Sequence, residues 1–124
     1  FARRSGLSHA AFWALYSIRE AKDGCTQKSI REQWSMSKQT VNSAINDLTK
    51  ENLITLSESQ SDKRSKHITL TEKGAEFAEK NIDIIYRLEH SAFERMTCTE
   101  REILLVSNRK FLEMFRLEVS QFFK

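Results

Sequence analysis

The chain has 124 residues, three glycines and no proline, with 40% hydrophobic and 30% charged side chains. Such a composition excludes a disordered or collagen-like chain, suffices for one buried core and favours long helices, because helix breakers are scarce. The net charge of +3 is uneven, with twelve Lys and Arg against eight Asp and Glu in residues 1–73 but eight against nine in residues 74–124, so a polyanionic partner is expected at the first part.

No apolar run approaches the roughly 18 residues that a membrane span requires, so no membrane partner is expected. The first residue is Phe1 rather than Met, which fits a segment of a longer chain with an element upstream. Cys25 and Cys98 are too few and too far apart for a disulfide framework, and a reducing, cytoplasmic setting is the expectation.

In chain order, the first helical period covers residues 8 to 22. Ser8 can cap it, and Ala11, Phe12, Leu15, Tyr16 and Ile18 supply the apolar stripe. Asp23-Gly24 stops it, since glycine accepts the left-handed conformation of helix ends. A short helix is predicted from about Lys28 to Trp34, with Thr26 as cap and Ile30 and Trp34 facing inward. Ser35-Met36-Ser37 is a compact break whose Met36 enters the core.

The clearest pattern follows. Ser37 caps a helix to about Glu51, with Val41, Ala44, Ile45 and Leu48 at relative positions 0, 3, 4 and 7, one buried face. Leu53, Ile54 and Leu56, then His67 to Leu70, read as two strands joined through the Ser- and charge-rich residues 57–66. Thr71 and Glu72 open a helix predicted to run unbroken to about Met96, with Gly74 tolerated in its first turn. A last helix is predicted from Thr99, where Thr99-Glu100-Arg101-Glu102 spells a capping box, to about Phe123.

Three helices followed by a hairpin make the plan of a winged helix-turn-helix, mainly α with a small β-hairpin wing. Residues 1–74 are expected to form that lobe and residues 75–124 a helical dimerisation region continuous with it. In a helix-turn-helix the second helix lies in the major groove and the first braces it. The predicted reader exposes Ser37, Lys38, Gln39, Thr40, Asn42, Ser43 and Asn46. Gln and Asn can pair bidentately with adenine, Ser and Thr donate and accept, and Lys neutralises phosphate. An ordinary solvated helix face more often carries Glu and Lys, the better helix formers. At the hairpin tip, Lys63, Arg64 and Lys66 oppose the single anion Asp62, chemistry suited to a phosphate backbone or minor groove.

Three stretches strengthen this reading. "SKQTVNSAINDLTKENLI" (37–54) resembles the recognition helix and following turn of the MarR family of bacterial winged-helix regulators. "SDKRSKHITLTEKG" (61–74) resembles its wing, with Asp62 and Arg64 matching a D-x-R pair, and "ITLTEKG" matches the strand leading into the next helix. The likeness runs from Leu7 to Gly74, with the later helices alike in kind. The resemblance implies that Arg64 enters the minor groove, that Asp62 orients it, and that Gln39, Thr40 and Ser43 take major-groove positions. Two departures stand out: Asn52 replaces a usual Gly, and Ser43 stands where many members carry Arg. The resemblance also implies a homodimer interlocked by helices from both chain ends, the N-terminal one lying upstream of Phe1.

Apolar residues on several faces of the last helix independently point to self-association, with Phe111, Phe115, Val119 and Phe122 as the expected contacts. Trp13, Tyr16, Trp34, Tyr86 and His90 are candidates to line a pocket for the small aromatic effector that the resemblance implies, Trp13, Tyr16 and Tyr86 foremost, although large aromatics also serve simply as core. His9, His67 and His90 have no shared metal-ligand spacing, and neither a phosphate-cradling loop nor a nucleophile–base pairing is present, so no metal, cofactor or enzymatic activity is expected. The leading expectation is a dimeric repressor of a pseudo-palindromic duplex. The alternatives are a winged helix that binds a protein partner, and a redox sensor acting through Cys25.

Overall fold

A computed structural model of the chain describes residues 1–58 and 65–124. In order, these contain α1 (Ala2–Ser5), α2 (His9–Glu20), β1 (Cys25–Thr26), α3 (Gln27–Trp34), α4 (Lys38–Lys50), β2 (Ile54–Glu58), β3 (Lys66–Leu70), α5 (Glu72–Asn81), α6 (Asp83–Glu94) and α7 (Cys98–Phe122). The chain divides into two compact units, Phe1–Tyr86 and Arg87–Lys124. No helix of the described residues is long and apolar enough to cross a membrane.

The first unit holds the core. Phe12, Leu15, Ile30, Ile45, Leu48, Leu53, Ile68 and Ile82 are all essentially inaccessible to solvent. The helix starts are local in origin. Ser8, Thr26, Ser37 and Thr71 each accept a hydrogen bond from the backbone N–H three residues on, satisfying a donor that the helix itself leaves unpaired. The Thr26 cap is reciprocal, because the Ser29 side chain accepts from the Thr26 N–H at 3.1 Å.

The expected hairpin is part of a three-stranded antiparallel sheet of order β1-β3-β2. In it Ile54 faces Leu70, Leu56 faces Ile68 and Glu58 faces Lys66. The extra strand, β1, pairs Cys25 with Ile68 and Thr26 with His67. Gly24 makes that approach possible: its φ is +83° and a Cβ there would lie 2.5 Å from the Ile68 carbonyl oxygen.

Three expectations are corrected. The helix predicted from Thr71 to Met96 is interrupted at Ile82, between α5 and α6. There the Asn81 side-chain amide donates to the Phe77 carbonyl at 2.9 Å, and the next residue, Ile82, is drawn fully into the core. Asp83 is held bidentately by Arg19 of α2, at 3.0 and 2.6 Å. Second, Gly74 is required rather than tolerated, because a Cβ would stand 1.8 Å from the Leu53 carbonyl oxygen. That same oxygen accepts from the Thr71 N–H, while Thr71 Oγ1 donates to the Asn52 carbonyl, so the turn and the start of α5 are laced together. Asn52 takes φ +57°, the left-handed role that a glycine would otherwise fill.

Third, the last helix is capped two residues earlier than expected, by Thr97 and Glu100 instead of Thr99 and Glu102. The Thr97 N–H donates to Glu100 Oε2 at 2.7 Å, and the Glu100 N–H to Thr97 Oγ1 at 3.2 Å. The earlier start lets Arg101 reach back, donating to the carbonyls of Met96 and Glu94 that the end of α6 leaves open. Its guanidinium carbon also stands 5.6 Å from the centre of the Phe93 ring. Within this second unit α7 buries no side chain of its own.

Candidate nucleic-acid interface

The reader helix divides cleanly into two faces. Val41, Ala44, Ile45 and Leu48 are buried, while Lys38, Gln39, Thr40, Asn42, Ser43 and Asn46 are exposed. Burial of one aliphatic side chain contributes about 2 kcal/mol, so this face anchors α4 firmly. Helix α3 supplies the brace through the fully buried Ile30 and the half-buried Trp34. The turn between them closes through Ser35 in the left-handed conformation, φ +51°, and Met36 packs on the core as expected.

Brace and α2 are tied by a chain of polar side chains, running from buried Ser17 out to exposed Gln33 and Glu20, that sequence patterning did not reveal. Trp34 Nε1 donates to Ser17 Oγ at 2.7 Å, Ser17 Oγ to Gln33 Oε1 at 2.7 Å, and Gln33 Nε2 to Glu20 Oε2 at 3.1 Å. Ser17 is the buried polar residue at its centre. Its only sequence signal was a serine inside an otherwise apolar helical stripe.

At the outward face, the side chains of Gln39, Asn42, Ser43 and Asn46 take part in no hydrogen bond among the described residues. Ser37 is exposed but committed: its Oγ accepts from the Thr40 N–H at 3.0 Å and lies 2.8 Å from Thr40 Oγ1. Gln39, Thr40 and Ser43 border a shallow groove with Ser8, Ala10 and Asp47. Asp47 was missed, although it stands four residues beyond Ser43 and so on the same side of the helix. A carboxylate there can accept from a cytosine amino group and repels phosphate.

Of the expected wing residues, Lys66 is exposed at the start of β3, opposite Glu58. Asp62, Lys63 and Arg64 lie outside the described residues.

Trp13, Tyr16, Trp34 and Tyr86 come together as a cluster of rings. Trp13 and Trp34 have centroids 4.7 Å apart, Trp13 and Tyr16 5.4 Å, and Tyr16 and Tyr86 5.2 Å. The Tyr86 hydroxyl is buried with no hydrogen-bond partner among the described residues. Burial foremost, and then the neighbouring Tyr16 phenol, push the Tyr86 pKa well above its ordinary value, so it is a neutral donor at any physiological pH.

The histidines are dispersed: His9 accepts from Trp13 Nε1, His67 meets the Asp23 carbonyl, and His90 sits beside Glu94. Burial raises the Cys25 thiol pKa, with a smaller opposing effect from Ser29. That is the direction away from the thiolate form.

On the second unit, Phe111, Phe115, Val119 and Phe122 follow one another at helical spacing and are all exposed, Phe111 at 64% and Phe122 at 84%. The rings of Phe111 and Phe115 stack nearly parallel, 6.0 Å apart.

A reader helix braced by α3 and flanked by a three-stranded wing sheet defines a winged helix. Residues 5–65 match the profile of the MarR family. The chain is 35% identical over 81 residues to YwhA, an uncharacterised helix-turn-helix-type transcriptional regulator of Bacillus subtilis, a match covering 65% of this chain and 58% of that protein's length. Among solved structures it is similar to NMB1585, a MarR family regulator from Neisseria meningitidis, at 25% identity and a TM-score of 0.74, over 96% of this chain and 83% of the other. It also shares the fold of S. aureus MepR in complex with DNA, at 22% identity and a TM-score of 0.70, over 91% and 83% of the two chains. Over residues 5–65 the chain is similar to the MarR family, and its winged-helix fold is that of the Neisseria meningitidis regulator.

Proposed function

We propose that the chain is a transcriptional regulator that reads double-stranded DNA through α4, works as a homodimer and represses by occupying a pseudo-palindromic operator. One observation carries the reading: α4 is anchored by four buried side chains while its opposite face holds Gln39, Asn42, Ser43 and Asn46 exposed and without hydrogen-bond partners among the described residues. A helix so fixed presents base-reading groups without first having to order them. The likeness to MepR, a relative solved in complex with DNA, agrees with this.

The exposed stripe Phe111, Phe115, Val119 and Phe122 supports self-association, since an apolar face of this kind marks a surface that another molecule covers. Two copies would set two readers in successive major grooves, about one helical turn apart. Lys66, with Lys63 and Arg64, would hold the adjacent backbone and minor groove, and Asp62 would orient Arg64. A small aromatic effector reaching Trp13, Tyr16 and Tyr86 would relieve repression, and the Tyr86 hydroxyl, buried without a hydrogen-bond partner among the described residues, is the donor it would engage.

The test is fluorescence anisotropy with a labelled duplex from the promoter of the chain's own gene, beside a scrambled duplex, at several salt concentrations. The expected result is preference for the promoter and affinity that falls steeply with salt. Gln39→Ala is expected to weaken promoter binding about tenfold while leaving the scrambled duplex unaffected, the size of one lost bidentate base contact. Absence of binding at low salt would sink the proposal.

A further inference from the structure

The two threonines of α4 differ from its amides in one respect: their hydroxyls are already engaged. Thr49 Oγ1 donates to the Ile45 carbonyl at 2.7 Å. Thr40 Oγ1 lies 2.8 Å from Ser37 Oγ, which also accepts the Thr40 N–H at 3.0 Å. Thr49 belongs to the C-terminal half of the helix. Thr40 is in its first turn, exposed, and on the groove that includes Gln39 and Ser43.

The bond to Ser37 turns the Thr40 hydroxyl back toward the helix cap. A β-branched side chain has few staggered positions, so fixing the oxygen also fixes the methyl group. The bond to Ser37 leaves the hydroxyl only its remaining hydrogen-bonding positions, at angles that Ser37 sets, and re-aiming it at a base would exchange one hydrogen bond for another with little net gain and loosen the cap. The methyl group bears no such cost. Among the four bases only thymine displays a methyl in the major groove.

We infer that Thr40 is a specificity-determining residue that recognises a thymine through methyl–methyl contact, with Ser37 as the residue that positions it. This rests on the DNA-reading function proposed above. The pairing distinguishes Thr40 from Gln39, Asn42 and Asn46, whose amides read by hydrogen bonding. Burying one methyl-sized group predicts a preference for thymine of about fourfold per half-site.

The experiment uses the full chain and a duplex recovered by the wild-type protein from a random-sequence pool. Each thymine of that duplex is replaced singly by deoxyuridine, which removes the methyl and nothing else. The wild type is expected to show one sensitive thymine per half-site, weakened about fourfold by the replacement. Thr40→Ser keeps the hydroxyl and is expected to bind the thymine and deoxyuridine duplexes alike. Thr40→Val keeps the methyl and is expected to retain the difference, with thermal unfolding of both variants confirming that they fold.

Discrimination that survives in Thr40→Ser, or disappears in Thr40→Val, would overturn the inference, as would a wild type indifferent to every replacement. Each of those results leaves DNA reading intact. Failure of the wild type to enrich any duplex would instead overturn the DNA-reading function, and the role of Thr40 with it.

Discussion

Helices α4 and α7 both carry many apolar side chains, yet their fates differ. In 13 residues α4 buries four of them, whereas α7 buries none in 25. The apolar positions of α4 fall on one stripe at 0, 3, 4 and 7, so a single lobe covers them and leaves the other face to polar groups. Those of α7 recur on more than one face, including Leu104, Leu105 and Val106 in succession. The contrast teaches that amphipathic spacing inside one chain marks a helix that folds with its own lobe. Apolar content spread around a helix marks one that needs more surface than its unit supplies.

The comparison breaks most sharply at the core. Leu48→Ala removes a fully buried side chain from α4 and is expected to cost about 3 kcal/mol, read as a lower midpoint in chemical denaturation. An unchanged midpoint would mean that α4 is not held by the lobe.

On α7 the corresponding change acts on association instead. Phe115→Ala is expected to raise the dimer dissociation constant about thirtyfold, a loss of about 2 kcal/mol at a central aromatic contact, measured by sedimentation equilibrium. A dissociation constant equal to that of the wild type would show that this stripe is not the interface.

The smallest effect concerns how α7 begins. Hydrogen bonds from Thr97, first from its backbone N–H and then from its hydroxyl, lower the Glu100 pKa below its ordinary value of 4.5. A carboxylate with a lowered pKa in the folded state stabilises at neutral pH. That contribution is present above 4.5 and is lost as pH falls through the lower folded value. Helix content followed by circular dichroism is therefore expected to decline slightly over this acidic range, and Glu100→Gln, which keeps the box without the charge, is expected to flatten that part of the curve. An unaltered acid limb in the variant would mean that Glu102, not Glu100, closes the box.

Sequence by itself determined whatever depends on neighbours within one turn. The Ser8, Thr26 and Ser37 caps, the buried stripe of α4 and the exposure of Gln39, Asn42 and Ser43 all follow from hydrogen bonds or periodicities spanning three or four residues. Asn52 in the left-handed turn was legible for the same reason, since its conformation is a property of the residue itself. Tertiary structure decided what depends on distant partners. Strand β1 exists only because Gly24 lets the chain approach Ile68, and two residues carry no pattern of their own. Gly74 is required only because the Leu53 carbonyl packs against it, the Arg19–Asp83 pair joins residues 64 apart, and the Asn81–Ile82 break buries a side chain no period predicts. Thr97-x-x-Glu100 and Thr99-x-x-Glu102 are equivalent as text. Only the carbonyls that Arg101 reaches across the turn distinguish them, because a capping pattern spans three residues whereas these contacts reach five and seven residues back.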